Sequence, residues 1–190
     1  MKYKTEIMYQ SEGKTPAGDP FMTVKQARGY YQYAERGGVD SIAFILYDKN
    51  TDKYCLINES KPPMDEREGR EVHMTTAFGG SIDMGANTTN QEICQTEVKE
   101  EAGYVVPLSK INFVGKTLVS SQMSQMCYMY FVDVTDIKKT LDTEAETQKE
   151  KGNKSTEFKF NSNPWMTYSE VIENCDWKSI SIITLFKAKQ

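Results

Sequence analysis

The sequence predicts an α+β fold, and three observations lead to this prediction. Residues 41–48 (SIAFILYD) form an unbroken apolar run, which is typical of a buried strand. A helix is predicted to start around residues 88–90, among good N-cap residues, and to run to about residue 102, with Gly103 at its C-terminal glycine position. Strands are expected before and after this helix, and two further helices are expected only near the end of the chain. This order does not alternate regularly, so it favours α+β over a parallel doubly wound sheet.

The first part of the chain is polar and rich in glycine and tyrosine. We expect residues 1–38 to form an N-terminal appendage and residues 39–190 to form the main domain. Within the appendage, residues 23–36 (TVKQARGYYQYAER) fit either a helix broken at Gly29 or a short hairpin.

The first half of the main domain is predicted to be mostly strands. The strand at 41–48 turns at residues 48–52 and pairs with 54–58 (YCLIN). Residues 61–70 contain two prolines and are predicted to be a loop. Residues 71–78 (EVHMTTAF) alternate and are rich in threonine and valine, which predicts a strand ended by the glycine pair that follows.

The second half begins with the helix to residue 102 and continues with strands at 111–119 and 126–134. Residues 138–154 are charged and poor in apolar side chains, which is typical of a loop or a partly helical excursion. A short strand is expected at 158–160. Thr167 and Glu170 form a capping-box pattern that opens a helix to about residue 173, and residues 179–189 form a terminal helix.

Composition excludes several classes of protein. The 190 residues include 23 Lys and Arg against 27 Asp and Glu, a net charge of −4, so an electrostatic nucleic-acid binder is not expected. The apolar runs are too short to span a membrane. Four cysteines without a C-x-x-C pair indicate reduced thiols and a cytoplasmic location. A single histidine, His73, excludes a histidine-rich metal centre, and its place on a strand favours a structural role.

Three glutamates form the chemically informative cluster. Glu97, Glu100 and Glu101 are spaced i, i+3 and i+4, which places them on one face of an α-helix. Like charges at this spacing repel, and a hard divalent cation such as Mg²⁺ or Mn²⁺ removes the repulsion. Alone, the pattern is more typical of a solvated acidic face, partly balanced by Lys99, than of a metal site.

The flanking residues make the segment resemble the Nudix hydrolase family, whose signature is G-x5-E-x7-R-E-U-x-E-E-x-G-U with U a bulky apolar residue. Gly80 matches the first glycine, and residues 96–104 (TEVKEEAGY) match the closing part. The resemblance implies a mixed sheet sandwiched between helices, and metal binding by Glu97, Glu100, Glu101 and the carbonyl of Gly79. Outside the signature, the resemblance is nearest to the ADP-ribose and sugar-nucleotide pyrophosphatase branch.

The chain departs from this signature in two ways. Thr96 replaces the family arginine that orients the glutamates, and Ala86 replaces the upstream glutamate, with Asp83 the nearest acid. The segment is also two residues longer than the standard spacing, as in some nucleoside-diphosphate-sugar hydrolases of the family.

The resemblance implies Mg²⁺- or Mn²⁺-dependent hydrolysis of a nucleoside diphosphate linked to a group X, releasing a nucleoside monophosphate. Glu157 is the predicted general base, chosen over Glu144, Glu146 and Glu150, and phosphates are expected to contact Lys61, Arg67 and Arg70. Alternatives are a hydrolase of NAD, dinucleotide polyphosphates or a capped RNA end, and a catalytically silent nucleotide-binding module. The expected partner is a small nucleotide, and the N-terminal segment is expected to pair two subunits as a homodimer.

Overall fold

A computed structural model describes residues 5–14, 18–37, 39–82, 87–140 and 164–189. The chain divides into two compact units. Unit 1 comprises residues 1–41, 81–83 and 116–128, and unit 2 comprises residues 42–80, 84–115 and 129–190. The predicted boundary between residues 38 and 39 stays a prediction.

Unit 1 contains a three-stranded antiparallel sheet. Its strands are β1 (Thr5–Gln10), β2 (Thr23–Ala27) and β3 (Tyr31–Glu35), in the order β1-β2-β3. Of the two predicted alternatives for residues 23–36, the hairpin is therefore correct. Arg28 and Gly29 have φ of 55° and 77° at its turn, as a type I′ turn requires. The sequence did not reveal β1, because all six of its residues are exposed and leave no apolar alternation.

The larger sheet has the order β11-β5-β4-β10-β9, with β8 also paired to β4. Its strands are β4 (Ser41–Asp48), β5 (Lys53–Cys55), β8 (Phe78–Ser81), β9 (Ile111–Leu118), β10 (Met126–Asp133) and β11 (Trp165–Met166). The predicted hairpin is confirmed, because β4 pairs antiparallel with β5. Hydrogen bonds link Ser41 to Met126 and Tyr47 to Val134, so β4 and β10 run parallel and the sheet is mixed.

A second, two-stranded antiparallel sheet joins β6 (Ile57–Ser60) to β7 (His73–Thr76). Between them lies helix α1 (Pro62–Glu68), so the prediction of a loop here was wrong. The two prolines occupy the first helical positions, where the missing N–H has no intrahelical partner to lose, and Gly69 ends the helix with a φ of 65°. The predicted strand at 71–78 is also wrong in detail: β7 ends before Ala77, and the glycine pair lies inside β8.

The other helices follow the predictions closely. Helix α2 (Asn90–Glu97) continues as a π-helical turn over Val98–Ala102, and Gly103 ends it with a φ of 77°. A 3₁₀ turn, Leu108–Lys110, precedes β9. Helix α3 (Tyr168–Asn174) begins with the predicted capping box, and helix α4 (Trp177–Lys187) is capped by Asp176. The predicted strand at 158–160 lies outside the described residues, and the sequence did not reveal the two-residue β11.

The core of unit 2 is built from residues of the larger sheet, of α2 and of the terminal helix α4. Phe44 of β4 and Phe78 of β8 are fully buried, and their rings stack with centroids 5.1 Å apart. Ile93 of α2 and Ile182 of α4 are also buried. This packing buries the apolar face of α2 in the core. In the described parts of the chain, no helix combines the length and apolar character that a membrane span needs.

Candidate active site

The start of α2 is fixed by a complete capping box. The Thr89 hydroxyl accepts a hydrogen bond from the Glu92 N–H (3.2 Å), and the Glu92 carboxylate accepts one from the Thr89 N–H (2.7 Å). A third hydrogen bond runs from the Thr89 hydroxyl to the same carboxylate. Because these bonds favour the charged form, they lower the pKa of Glu92. The helix that contains Glu97 therefore begins at a defined residue.

The glutamate cluster lies where α2 changes into the π-helical turn. Glu97 is the last residue of α2, whereas Glu100 and Glu101 belong to the π turn, and all three side chains are half-buried. In a π turn the hydrogen bonds run from i to i+5, so the α-helical spacing rule no longer places all three carboxylates on one face. The sequence did not reveal this turn, because its residues are ordinary helix formers. Such turns are frequent at functional sites.

Gly80 lies directly against the Glu97 side chain. A Cβ atom at Gly80 would overlap the Cδ and Oε1 atoms of Glu97 and would lie 2.7 Å from its Cγ. The φ of Gly80 is not positive, so what the glycine provides here is space for the Glu97 side chain and not a special backbone conformation. Burial raises the pKa of the Cys94 thiol, and the nearby charge of Glu97 raises it further. The structure thus brings together Gly80 and Glu97, which are far apart in the sequence.

One face of the β6–β7 sheet carries unsatisfied polar atoms. The register pairs Asn58 with Thr75 and Ser60 with His73, so Asn58 and His73 project on the same face. His73 Nε2 is 2.8 Å from a carboxylate oxygen of Glu71. Its Nδ1 and the Oδ1 of Asn58 are buried with no hydrogen-bond partner within the described ranges. Buried polar atoms without partners are costly, so this face carries hydrogen-bonding capacity that the described residues do not use, and the tautomer of His73 sets whether its Nδ1 donates or accepts.

A cavity of about 370 Å³ lies elsewhere in unit 2. It is lined by Tyr47, Lys49, Asn112, Phe131, Asp133 and Phe186. None of the predicted site residues is among them. The rings of Phe131 and Phe186 stack on each other, so part of the aromatic wall is already in contact with protein.

Comparison with known proteins identifies the fold. No family model and no curated protein matches the chain. One similar solved structure is the crystal structure of an ADP compounds hydrolase, which is 15% identical in sequence and has a TM-score of 0.61. The alignment covers 97% of this chain and 93% of that protein. Another is a NUDIX hydrolase from Nitrosomonas europaea, which is 14% identical and has a TM-score of 0.53. The alignment covers 78% of this chain and 88% of that protein.

The chain has the Nudix fold. The α+β prediction and the predicted resemblance to this family are confirmed at the level of the fold. Because Gly80 and Glu97 belong to the segment that resembles the Nudix signature, their contact lies where that signature predicts the site. At these identities, the likeness by itself shows the fold alone.

The predicted metal ligands have the right chemistry, but they do not form a closed cage. Within the part of the chain that the structure describes, no group of three or more His, Cys, Asp or Glu side chains is arranged to hold a metal. Glu97, Glu100 and Glu101 nevertheless supply the hard oxygen atoms that Mg²⁺ and Mn²⁺ prefer. The space that Gly80 leaves for the Glu97 carboxylate fits such a role. The metal-binding roles of Glu97, Glu100, Glu101 and Gly79 stay predictions.

The predicted phosphate-binding cations lie at and beside α1. Lys61, at its N-cap, forms an ion pair with Glu59, and Arg67 lies 3.5 Å from Glu68 with 74% of its side chain exposed. Arg70 is exposed just after the helix. Lys61 and Arg67 therefore already have acidic neighbours, and a phosphate would compete with them.

Several predicted site residues lie outside the described residues. These are the predicted base Glu157, the other acids of the charged stretch at 144, 146 and 150, and both Asp83 and Ala86 of the signature segment. Thr96 is described, and its hydroxyl donates a hydrogen bond to the Glu92 carbonyl (3.1 Å) one turn earlier in the same helix.

Proposed function

We propose that this chain is a hydrolase that cleaves the pyrophosphate of a nucleoside diphosphate linked to a group X, with Mg²⁺ or Mn²⁺ as the cofactor. The observation that carries the proposal is the close contact between Gly80 and Glu97 in a chain with the Nudix fold. ADP-ribose or a sugar nucleotide is the favoured substrate, and the likeness to a protein described as an ADP compounds hydrolase supports this choice.

Glu97, Glu100 and Glu101, with the carbonyl oxygen of Gly79, would hold the cation. When bound, the cation neutralises phosphate charge and lowers the pKa of a bound water. Mg²⁺ usually keeps several waters and takes one or two carboxylates together with substrate phosphates, so a preformed cage of three acids is not required. The contact with Gly80 restricts the orientation of the Glu97 carboxylate before substrate arrives, which reduces reorganisation during the reaction.

The substrate contacts are proposed from the polar face of β6–β7. Asn58 Oδ1 is a buried acceptor, and the hydroxyl and amine groups of a nucleoside are donors of the matching kind. His73 Nδ1 accepts such a bond when the neutral ring carries its proton on Nε2, the atom next to Glu71. Lys61, Arg67 and Arg70 would contact the phosphates, with Lys61 and Arg67 exchanging their acidic neighbours for them. Glu157 remains the proposed general base.

We also propose that unit 1 pairs two copies of the chain. β1 is an edge strand of the three-stranded sheet, and it exposes Ile7, Met8 and Tyr9 with 60%, 52% and 58% of their surface accessible. An exposed apolar edge strand is a template for pairing with another chain. Light scattering should give the mass of a dimer for the wild type and of a monomer for Ile7→Lys/Tyr9→Lys. A dimeric double variant would contradict this proposal.

A reducing, cytoplasmic location is proposed from the cysteines. All four are free thiols, and three of them are buried.

The competing function is a catalytically silent nucleotide-binding module. It is favoured by Thr96, which carries no charge and so cannot orient a carboxylate by an ion pair, and whose hydroxyl donates within its own helix. The two functions differ in what they predict for divalent cations, because a silent module has little need of a metal site.

The deciding experiment is a hydrolysis screen with Mg²⁺ and Mn²⁺. The panel contains ADP-ribose, UDP- and ADP-sugars, NAD, dinucleotide polyphosphates, capped RNA and nucleoside triphosphates. Glu100→Gln/Glu101→Gln is the inactive variant, and Glu66→Gln on the exposed face of α1 is the matched carboxylate control. Turnover of one class that is lost only in the first variant supports the hydrolase. Nucleotide binding without turnover and without metal binding supports the silent module.

A further inference from the structure

Two glutamines join α2 to the segment that follows the π turn. Gln95 Nε2 donates to the carbonyl of Val106 (2.6 Å). Gln91 Nε2 donates to the carbonyls of Leu108 (2.9 Å) and Ile111 (2.7 Å). A carbonyl oxygen only accepts hydrogen bonds, so the chemistry of the partners fixes the orientation of both amides. Both side chains are half-buried.

These hydrogen bonds satisfy carbonyl groups of a segment with little regular structure. Residues 104–107 are in neither helix nor strand, and a short 3₁₀ turn follows them. The carbonyl of Val106 lies in this irregular stretch and would otherwise depend on water, whereas that of Leu108 also accepts the Ile111 N–H. Gln91 and Gln95 are four residues apart, so they lie on one face of α2 and hold the segment at two successive turns.

Gln91 and Gln95 lie on a different side of α2 from Glu97, the residue that contacts Gly80. Glu97 follows Gln95 by two positions, which is about 200° around an α-helix of 3.6 residues per turn. One side of α2 is therefore tied to residues 106–111, while the other presents Glu97 to Gly80. The Glu97 side chain projects from the axis of α2, so rotation of the helix about that axis would displace its carboxylate.

We infer that Gln91 and Gln95 are positioning residues, which fix the rotation of α2 and thereby hold the Glu97 carboxylate ready for a divalent cation. This inference rests on the proposed function. It assigns to the two glutamines a role in cation affinity and turnover that is separate from their role in stability. Neither glutamine touches the reacting atoms.

The test compares Gln91→Met/Gln95→Met with the wild type. Methionine has nearly the length and volume of glutamine but no N–H donor, so the substitution removes the hydrogen bonds and keeps the packing. Mn²⁺ binding to the full chain without substrate is measured by electron paramagnetic resonance, and kcat and KM are measured on the substrate that the screen identifies. We expect Mn²⁺ affinity to fall by about 10-fold or more, as for changes in groups that orient metal ligands. We expect kcat to fall while KM for the nucleotide stays within about twofold.

The control for lost stability is Ile183→Val in α4, which removes one buried methylene from a side chain outside α2. Its melting temperature should fall, while its Mn²⁺ affinity stays at the wild-type value. If the double variant does not fold, as judged by circular dichroism, the single variants Gln91→Met and Gln95→Met carry the test.

The outcomes separate this inference from the proposed function. Wild-type Mn²⁺ affinity in the folded glutamine variants, with hydrolysis intact, overturns the inference and leaves the function standing. An equal loss of affinity in Ile183→Val also overturns it. A wild-type chain that neither binds Mn²⁺ nor hydrolyses any member of the panel overturns the proposed function, and the inference fails with it.

Discussion

Replacing Gly80 by alanine tests the contact on which the proposed site depends. The added methyl group would occupy the space of the Cγ, Cδ and Oε1 atoms of Glu97. These atoms belong to a flexible side chain, so Glu97 can rotate away without moving the backbone. Leaving a preferred rotamer costs about 0.5–1.5 kcal/mol. We therefore expect the free energy of unfolding to fall by about 1 kcal/mol and the melting temperature by about 2–4 °C.

The effect of Gly80→Ala on metal binding should exceed its effect on stability. A Glu97 carboxylate turned away from its position would no longer contribute fully to the proposed cation site, and changes in the surroundings that orient a metal ligand reduce metal affinity by about 10–100-fold. Isothermal titration calorimetry with Mn²⁺ measures this change. The control is Gly115→Ala in β9, where a Cβ would lie 3.2 Å from Leu185 Cδ1 and 3.5 Å from Met129 Cε. That variant is expected to lose stability and to keep its Mn²⁺ affinity.

A double-mutant cycle with Glu97→Gln identifies the route by which the methyl group acts. If it acts through the Glu97 carboxylate, Gly80→Ala should weaken Mn²⁺ binding in the wild-type background and add little in the Glu97→Gln background. Equal weakening in both backgrounds would refute the reasoning. Unchanged Mn²⁺ affinity in the Gly80→Ala single variant would refute it more directly.

Three further predictions concern the scaffold. Burial raises the pKa of Asp133, but hydrogen bonds from Lys110 and Thr135 outweigh this effect and lower it below its usual value. The charged Asp133 carboxylate therefore stabilises the fold above about pH 4, and this contribution is lost as pH falls through the folded-state pKa. In urea titrations, Lys110→Met should thus lower the free energy of unfolding by up to about 1 kcal/mol near neutral pH and by much less near pH 2. An equal loss of unfolding free energy at both pH values would contradict this. Thr89→Ala should lower the free energy of unfolding by about 1 kcal/mol, measured in the same way. An equal loss in the neighbouring variant Thr88→Ala would argue against the capping box. A thiol reagent should modify all four cysteines in denaturant but only one in the native chain, because three of them are buried. Burial also raises the pKa of Cys55 to about 12 and raises that of Cys94, which leaves little reactive thiolate. Rapid labelling of all four in the native chain would contradict this.

Local signals in the sequence were enough for the elements whose cause is local. The apolar run at 41–48 predicted β4 with the same first and last residues, and the Thr167 capping box predicted the start of α3. The glycine pair shows the limit of this reasoning. Glycine usually interrupts a strand, yet here Gly79 and Gly80 continue β8, which pairs with β4, and Gly80 leaves space for the Glu97 side chain. Only the three-dimensional neighbours decide between these two roles.

The same limit applies to the glutamate cluster. The spacing of Glu97, Glu100 and Glu101 predicts one carboxylate face only if the helix stays α-helical, and the π turn at Val98–Ala102 removes that condition. The fold compensates by other means: Gly80 confines Glu97 on one side of α2, and Gln91 and Gln95 tie the other side to residues 106–111. A site held in this way has one carboxylate fixed in advance, and it would gain further oxygen ligands from the phosphates of the substrate. Cation and nucleotide would then bind cooperatively, because each supplies part of the shell that the other needs.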